Sequence, residues 1–378
     1  MLPGAQDPKL VNDQLETLEE LYRDDLPPID RSVRQAFNAL ELESIHHVHA
    51  LGDGDSYHAA LAAEMVFKEF SNALYTPSPA MRFLEYGADY LRPSFPRDTL
   101  VLGISASGGS TRVVQSIERV QANNDQILTG VLVGKSDSPL GNAAQRVIAS
   151  QIQEKGRTPG LRTYVASLMG LFGLAIRLGE IKRVFHMDEA NALRKEIYDL
   201  AKPAMETFEA AKEPVKKAVE LIGNPPFMSY TGSGPSFGTA SFASAKVVEV
   251  CGIFAIAQDL EEWAHVERFA YPLDFPVVMI APPGKGYWRA KELARAVKQL
   301  GHPLVAVLDS EDTEISPIAD VVLPVHGKVR ESFSPFLYYI GASHLAEALA
   351  YKLGRAMFMT DNEHVIKLRE EMRRQIYG

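Results

Sequence analysis

Lys246 and Glu249 stand three residues apart in "SAKVVEV", a spacing that puts both on one helix face with Cβ atoms about 5 to 6 Å apart. Val247, Val248 and Val250 surround them. Desolvation raises the basicity of such a carboxylate and the neighbouring ammonium lowers it, a balance that suits proton abstraction near neutral pH. A plain helix ion pair accounts for the same spacing. A second stretch, "GISASGGSTR" from Gly103 to Arg112, follows the apolar run "DTLVLGI" and packs Ser105, Ser107, Ser110 and Thr111 around two adjacent glycines before a helical pattern begins. Hydroxyl donors, a backbone that a ligand can approach closely and the positive end of a helix together equip a loop to hold an anion. The competing account is a strand-to-helix turn in which Ser107 or Ser110 caps the helix.

Other chemistry-bearing residues lead elsewhere. His47 and His49 in "IHHVHALGDGDSY" alternate onto one strand face, but no acidic or cysteine partner follows at ligand spacing, so they read as buried strand histidines and no metal is expected. Cys251 is the single cysteine, set in the apolar run "VVEVCGIFAIA"; it reads as a core thiol and excludes an internal disulfide framework. "GDGDSY" lacks the third glycine of a dinucleotide fingerprint, and no cofactor is implied.

The elements that must position these residues are written twice. "GDGDSYHAALAAEMVFKEF", Gly52 to Phe70, aligns without gaps on "GSGPSFGTASFASAKVVEV", Gly232 to Val250. Gly52, Gly54, Ser56, Ala60, Ala63 and Glu69 face Gly232, Gly234, Ser236, Ala240, Ala243 and Glu249. Val66 stands where Lys246 does, so Glu69 reads as structural. Further on, "DTLVLGISASGGSTR" answers "DFPVVMIAPPGKGYWR", and "TGVLVGKSDSPLGNAAQRVIA" answers "LVAVLDSEDTEISPIADVVLP". Short apolar runs, Gly/Ser turns and helical stretches in rotation describe βαβ units around a buried parallel sheet.

The expected architecture is therefore α/β, two tandem doubly wound parallel-sheet domains of flavodoxin-like kind with helical N- and C-terminal extensions. The expected boundaries are a helical arm over 1–43, kinked or ended by Pro27 and Pro28; a first domain over 44–180; a helical linker over 181–226; a second domain over 227–353; and a C-terminal helix or tail over 354–378.

Bulk properties narrow the function. A chain of 378 residues that is 46% hydrophobic buries a large core. Its net charge of -9 argues against a nucleic-acid surface, and residues 1–43 set Lys9, Arg23, Arg31 and Arg34 against ten acidic residues, the wrong sign for DNA. No uninterrupted apolar stretch approaches a membrane span and the start carries no signal pattern, so a cytoplasmic protein is expected.

With "GDSYHAA" after the first strand and "SASGGS" after the second, the tandem pair resembles the sugar isomerase (SIS) domain family over about 310 residues. The pattern is similar to the isomerase half of glutamine:fructose-6-phosphate amidotransferase and to its shorter relatives, the ketosamine-6-phosphate deglycases and amino-sugar-phosphate isomerases and deaminases. The match omits the glutaminase half and the second residue is not cysteine, so a glutamine-dependent reaction is not expected. The resemblance implies an open-chain sugar phosphate as substrate and a homodimer with shared active sites. It implies phosphate binding at Ser56, Ser105, Ser107 and Ser110, with Gly54 in the adjoining turn and with Arg162 and Thr163 of "GLRTYVASL" touching the sugar. Glu249 becomes the base that moves a proton between carbons 1 and 2, with Lys246 orienting it. His265 of "DLEEWAHVE" matches the ring-opening histidine that reaches the neighbouring subunit's site, and Lys367 of "NEHVIKLRE" the lysine that forms an imine with the ketose.

The chain departs from the family where "SQSGET" becomes "SASGGS", placing Ala106 and Gly109 in the loop, and where Val266 and Glu267 follow His265. One comparison inside the chain supports the phosphate reading without the family. The second copy's loop, "IAPPGKG", has no hydroxyl, so the turn as such does not require serines. The expected function is a phosphosugar isomerase or a deglycase or deaminase of a ketosamine 6-phosphate, and the alternative is a non-catalytic sugar-phosphate-binding regulator.

Overall fold

In the computed structural model, which describes residues 5–95, 97–368 and 371, each copy of the repeat forms a five-stranded parallel sheet. The first contains β1 (His47–Gly52), β2 (Leu74–Pro79), β3 (Thr99–Ser105), β4 (Leu128–Val133) and β5 (Arg146–Ala149), in the order β2-β1-β3-β4-β5. The second contains β6 (Phe227–Thr231), β7 (Phe254–Gln258), β8 (Val277–Ala281), β9 (Leu304–Asp309) and β10 (Val321–Val325). Its order, β10-β9-β8-β6-β7, is that of the first sheet read from the opposite edge. Every residue of β3, β4 and β8 is buried, because helices cover both faces of a parallel sheet and leave no polar side. In each copy the strand order reverses between the first and third strands, β1/β3 and β6/β8, which is where such folds receive ligands.

The aligned glycines show that the repeat is structural. Gly54 and Gly234 open the helices after β1 and β6 with φ/ψ of 54°/−128° and 59°/−132°, nearly the same unusual conformation and one that a Cβ would strain.

The chain divides into two compact units. Of the described residues, the first comprises those in Glu20–Glu154 and Arg162–Asp199; the second comprises those up to Glu19, Lys155–Leu161 and those from Leu200 to Glu371. The helices of the N-terminal arm are thus shared between the units. Within the second unit the Gln6 backbone bonds that of Met357, the Tyr351 hydroxyl donates to Asp7 and the Gln14 amide donates to the Gly156 carbonyl. Within the first unit Glu41 accepts hydrogen bonds from Arg97 and Arg146, and the buried Arg194 bridges Asp30 at 3.0 Å and Glu180 at 2.8 Å. Pro27 and Pro28 occupy the first turn of Leu26–Ala36, where a missing N–H costs nothing, and the π-helical turn Leu21–Asp25 ends immediately before that helix. Leu161–Ile181 is long and apolar enough to cross a membrane by length and composition; it is apolar because its unit surrounds it, 83% of the window being buried.

Candidate active site

The first unit gathers hydroxyls at the carboxyl end of β3. Ser105, 3% exposed, closes the strand. Its hydroxyl lies 3.0 Å from that of Ser110 and 3.5 Å from that of Ser107, and it accepts the Gly108 N–H at 3.1 Å. The Ser107 hydroxyl accepts the Gly109 N–H at 3.2 Å. Ser110 occupies the N-cap of the helix Thr111–Asn123, yet its side chain caps nothing and turns to Ser105. Helix capping therefore does not explain Ser110. Gly108 adopts φ +69° and approaches the next loop so closely that a Cβ would lie 2.1 Å from the Ser138 hydroxyl. Ser138 itself caps Pro139–Ala143 through the Gly141 N–H, so the serine loop is braced against a fixed neighbour.

Ser56 sits half-buried in the first turn of Asp55–Ala62, on the other side of the β1/β3 switch point. The Asp53 carboxylate just before it accepts the Ala80 N–H at 3.1 Å, tying the loops after β1 and β2 together. Beside the serine loop a cavity of about 300 Å³ is lined by Ala106, Lys135, Ser150, Gln153, Glu154 and Thr163, large enough for a small ligand. Hollows of about 330 Å³ and 440 Å³ elsewhere in this unit do not include the loop.

Of the pair expected to touch the sugar, Thr163 lines the cavity and Arg162 does not. Arg162 is 2% exposed and its guanidinium meets Asp25 at 2.5 Å. Sequence offered no signal for that partner, 137 residues away. His49, half-buried and 5.9 Å from the Phe83 ring, belongs to the packing of β1; burial, with His47 adding to it, depresses its pKa to about 4.

In the second unit the helix Pro235–Cys251 carries the Lys246–Glu249 pair at 2.6 Å. The two environments are unequal: the Lys246 side chain is 1% exposed and that of Glu249 is 36% exposed. The ammonium also lies 4.8 Å from the Phe242 ring centroid. A half-open carboxylate bonded to a buried cation can accept a proton from a ligand while the cation holds its orientation. The Phe358 N–H donates to the Glu249 carbonyl at 2.7 Å, which ties the chain after residue 353 to this helix. Cys251 is the core thiol expected; its Sγ donates to the Val247 carbonyl at 3.1 Å, and burial raises its pKa to about 11.

His265 ends the helix Leu260–His265, exposed, with Nε2 3.2 Å from Glu261. Arg289 binds the same Glu261, so in one chain His265 belongs to a surface charge cluster. Lys367 lies exposed in a helical stretch over 363–368.

Residues 41–177 match the family model described as the SIS domain. Glutamine–fructose-6-phosphate aminotransferase of Thermococcus kodakarensis is 26% identical over 308 residues, 80% of this chain and 48% of that protein. The corresponding protein of Nostoc sp. is 22% identical over 319 residues, 82% of this chain and 50% of the relative. The chain thus spans about half the length of these curated relatives. The C-terminal domain of glucosamine-fructose-6-phosphate aminotransferase from Francisella tularensis superposes with a TM-score of 0.74 at 15% identity, covering 89% of this chain and 96% of that one. Tagatose-6-phosphate ketose/aldose isomerase from Escherichia coli gives 0.72 at 15%, covering 93% and 94%. Glucosamine-6-phosphate deaminase from Thermotoga maritima gives 0.68 at 19%, covering 92% and 95%. At these identities the likeness to solved structures is one of fold.

Proposed function

We propose, from the SIS-domain match over residues 41–177, that this protein is a phosphosugar enzyme that takes an open-chain 6-phosphorylated ketose, aldose or ketosamine and moves a proton between carbons 1 and 2. The observation that carries the reading is the convergence of the Ser105, Ser107 and Ser110 hydroxyls after β3, beside a cavity lined from the loops after β3, β4 and β5, with the N-cap side chain turned away from its helix. These hydroxyls, with Ser56 and the turn at Gly54, hold the phosphate. Thr163 faces the sugar, and Arg162 fixes the wall through Asp25.

Glu249 is the proton shuttle through an enediol or enolamine, and Lys246 orients it and offsets charge developing in the transition state. Both isomerisation and cleavage of a carbon–nitrogen bond at carbon 1 begin with this transfer, which is why relatives of either kind are compatible with it. His265 assists ring opening in the site of a second copy, a role supported by its exposure among exposed Val266, Phe269 and Tyr271. Lys367 is the candidate for an imine with the ketose.

The test is thermal stability against fructose 6-phosphate, glucose 6-phosphate, glucosamine 6-phosphate and fructosamine 6-phosphate, with Ser105→Ala/Ser107→Ala as control. A ligand at about 100 times its dissociation constant adds roughly 2.7 kcal/mol, a visible shift in Tm. A shift abolished in the double variant, followed by turnover of that compound, supports the reading. No shift with any of the four refutes the phosphate site. Binding without turnover makes the chain a sensor.

A further inference from the structure

The second unit has its own version of the serine loop. β8 and the turn Pro282-Pro283-Gly284-Lys285-Gly286 stand in the repeat where β3 and "SASGGS" stand, and Ser236 stands where Ser56 does. The hydroxyls of the turn are gone, but an anion has arrived. The Lys285 N–H donates to Glu331 Oε2 at 2.9 Å, and the carboxylate lies so close that a Cβ on Gly284 would be 2.2 Å from its Cδ and 2.5 Å from each oxygen. Glu331 opens the turn Glu331–Phe336, whose other five residues are buried and fix its origin.

Two further features make this a cradle rather than a chance contact. The helix Tyr287–Leu300 begins here with Gly286 at its N-cap and no side-chain cap, so the carboxylate bonded at Lys285 stands one residue before the helix's positive end. Ser236 is 2% exposed and its hydroxyl has no hydrogen-bond partner among the described residues, yet it lines the same hollow of about 10 Å³ that Glu331 and Tyr287 line. A buried hydroxyl left without a partner is costly unless a ligand supplies one. The opposing charge is Asp259, whose carboxylate accepts the hydroxyl of Ser233, another lining residue, at 2.6 Å.

We propose that the β8 loop is a second anion cradle, suited to a phosphate or phosphate monoester, that the protein keeps shut with the Glu331 carboxylate as its own occupant. The two domains then divide the labour: the first presents its donors to a ligand and the second spends them internally. Rotation of one half-buried glutamate side chain uncovers the Lys285 N–H, the helix terminus and the Ser236 hydroxyl together.

The inference uses the repeat correspondence with the first-domain loop and does not require that loop to bind sugar phosphate. The test therefore starts from the Ser105→Ala/Ser107→Ala protein, which lacks the first cradle. Inorganic phosphate is titrated calorimetrically into this variant and into the same variant carrying Glu331→Ala. The expected result is about one additional phosphate per chain after Glu331→Ala, weakened roughly tenfold by Ser236→Ala as one hydrogen bond to a charged ligand is lost. No gain of a site in the folded Glu331→Ala protein overturns the proposal. If circular dichroism shows that protein unfolded, Glu331→Gln keeps the side-chain volume, and the amide resonances of Lys285 and Gly286 are followed instead. Movement with phosphate supports the cradle, and their indifference overturns it. Failure of the first-domain reading is seen separately, in sugar-phosphate binding by the unaltered protein.

Discussion

Replacing Ser107 and Ser105 by alanine, one at a time, separates a phosphate cradle from a turn held together by its own hydroxyls. The Ser107 hydroxyl is at the exposed rim and accepts one N–H, from Gly109, at 3.2 Å. Its loss should cost no more than about 0.5 kcal/mol of stability, the usual scale for a surface change. Ser105 is 3% exposed and accepts the Gly108 N–H at 3.1 Å. Without it that buried N–H keeps only the Ser105 carbonyl at 3.2 Å, a loss of about 1 kcal/mol. Against a phosphate, each hydroxyl contributes a hydrogen bond to a charged group, about 1.5 to 3 kcal/mol, or roughly 10- to 150-fold in affinity. Ser107→Ala should therefore leave urea unfolding almost unchanged while weakening sugar-phosphate binding at least tenfold by calorimetry, and Ser105→Ala should lower both. Binding by Ser107→Ala within twofold of the unaltered protein would refute the cradle and return the serines to turn geometry.

Glu249→Gln should reduce turnover of the compound found by the binding screen by about 10²- to 10⁴-fold, the scale of general base catalysis, with its affinity retained; near-native turnover sinks the assignment. Removing either member of the Lys246–Glu249 pair should destabilise unequally. Glu249→Leu removes the bonded carboxylate from an ammonium that is 1% exposed, whereas Lys246→Met leaves a carboxylate that is 36% exposed, so the first should unfold at lower urea than the second. His49 predicts an acid-side loss of stability. Its folded pKa of about 4 lies below the ordinary 6.5, so the unfolded chain binds the extra proton between these values. The contribution is complete above pH 6.5 and lost as pH falls toward 4, about 3 kcal/mol in all, and His49→Gln should flatten that limb of the stability profile.

Periodicity and repetition along the chain determined both sheets. A buried parallel strand needs an unbroken apolar run and a turn into a helix needs glycine, so β3, β8 and the matched Gly54 and Gly234 can be read locally. The same locality made the hydroxyl cluster and the Lys246–Glu249 spacing legible, since loop and helix neighbours meet whatever the rest of the chain does. Only the tertiary structure decided what those groups face. It committed Arg162 to Asp25, a partner 137 residues away. It also distributed the N-terminal helices over two units and delivered Glu331 to the second loop. Each outcome depends on contacts between residues far apart in sequence, where burial and charge select partners that no short pattern encodes.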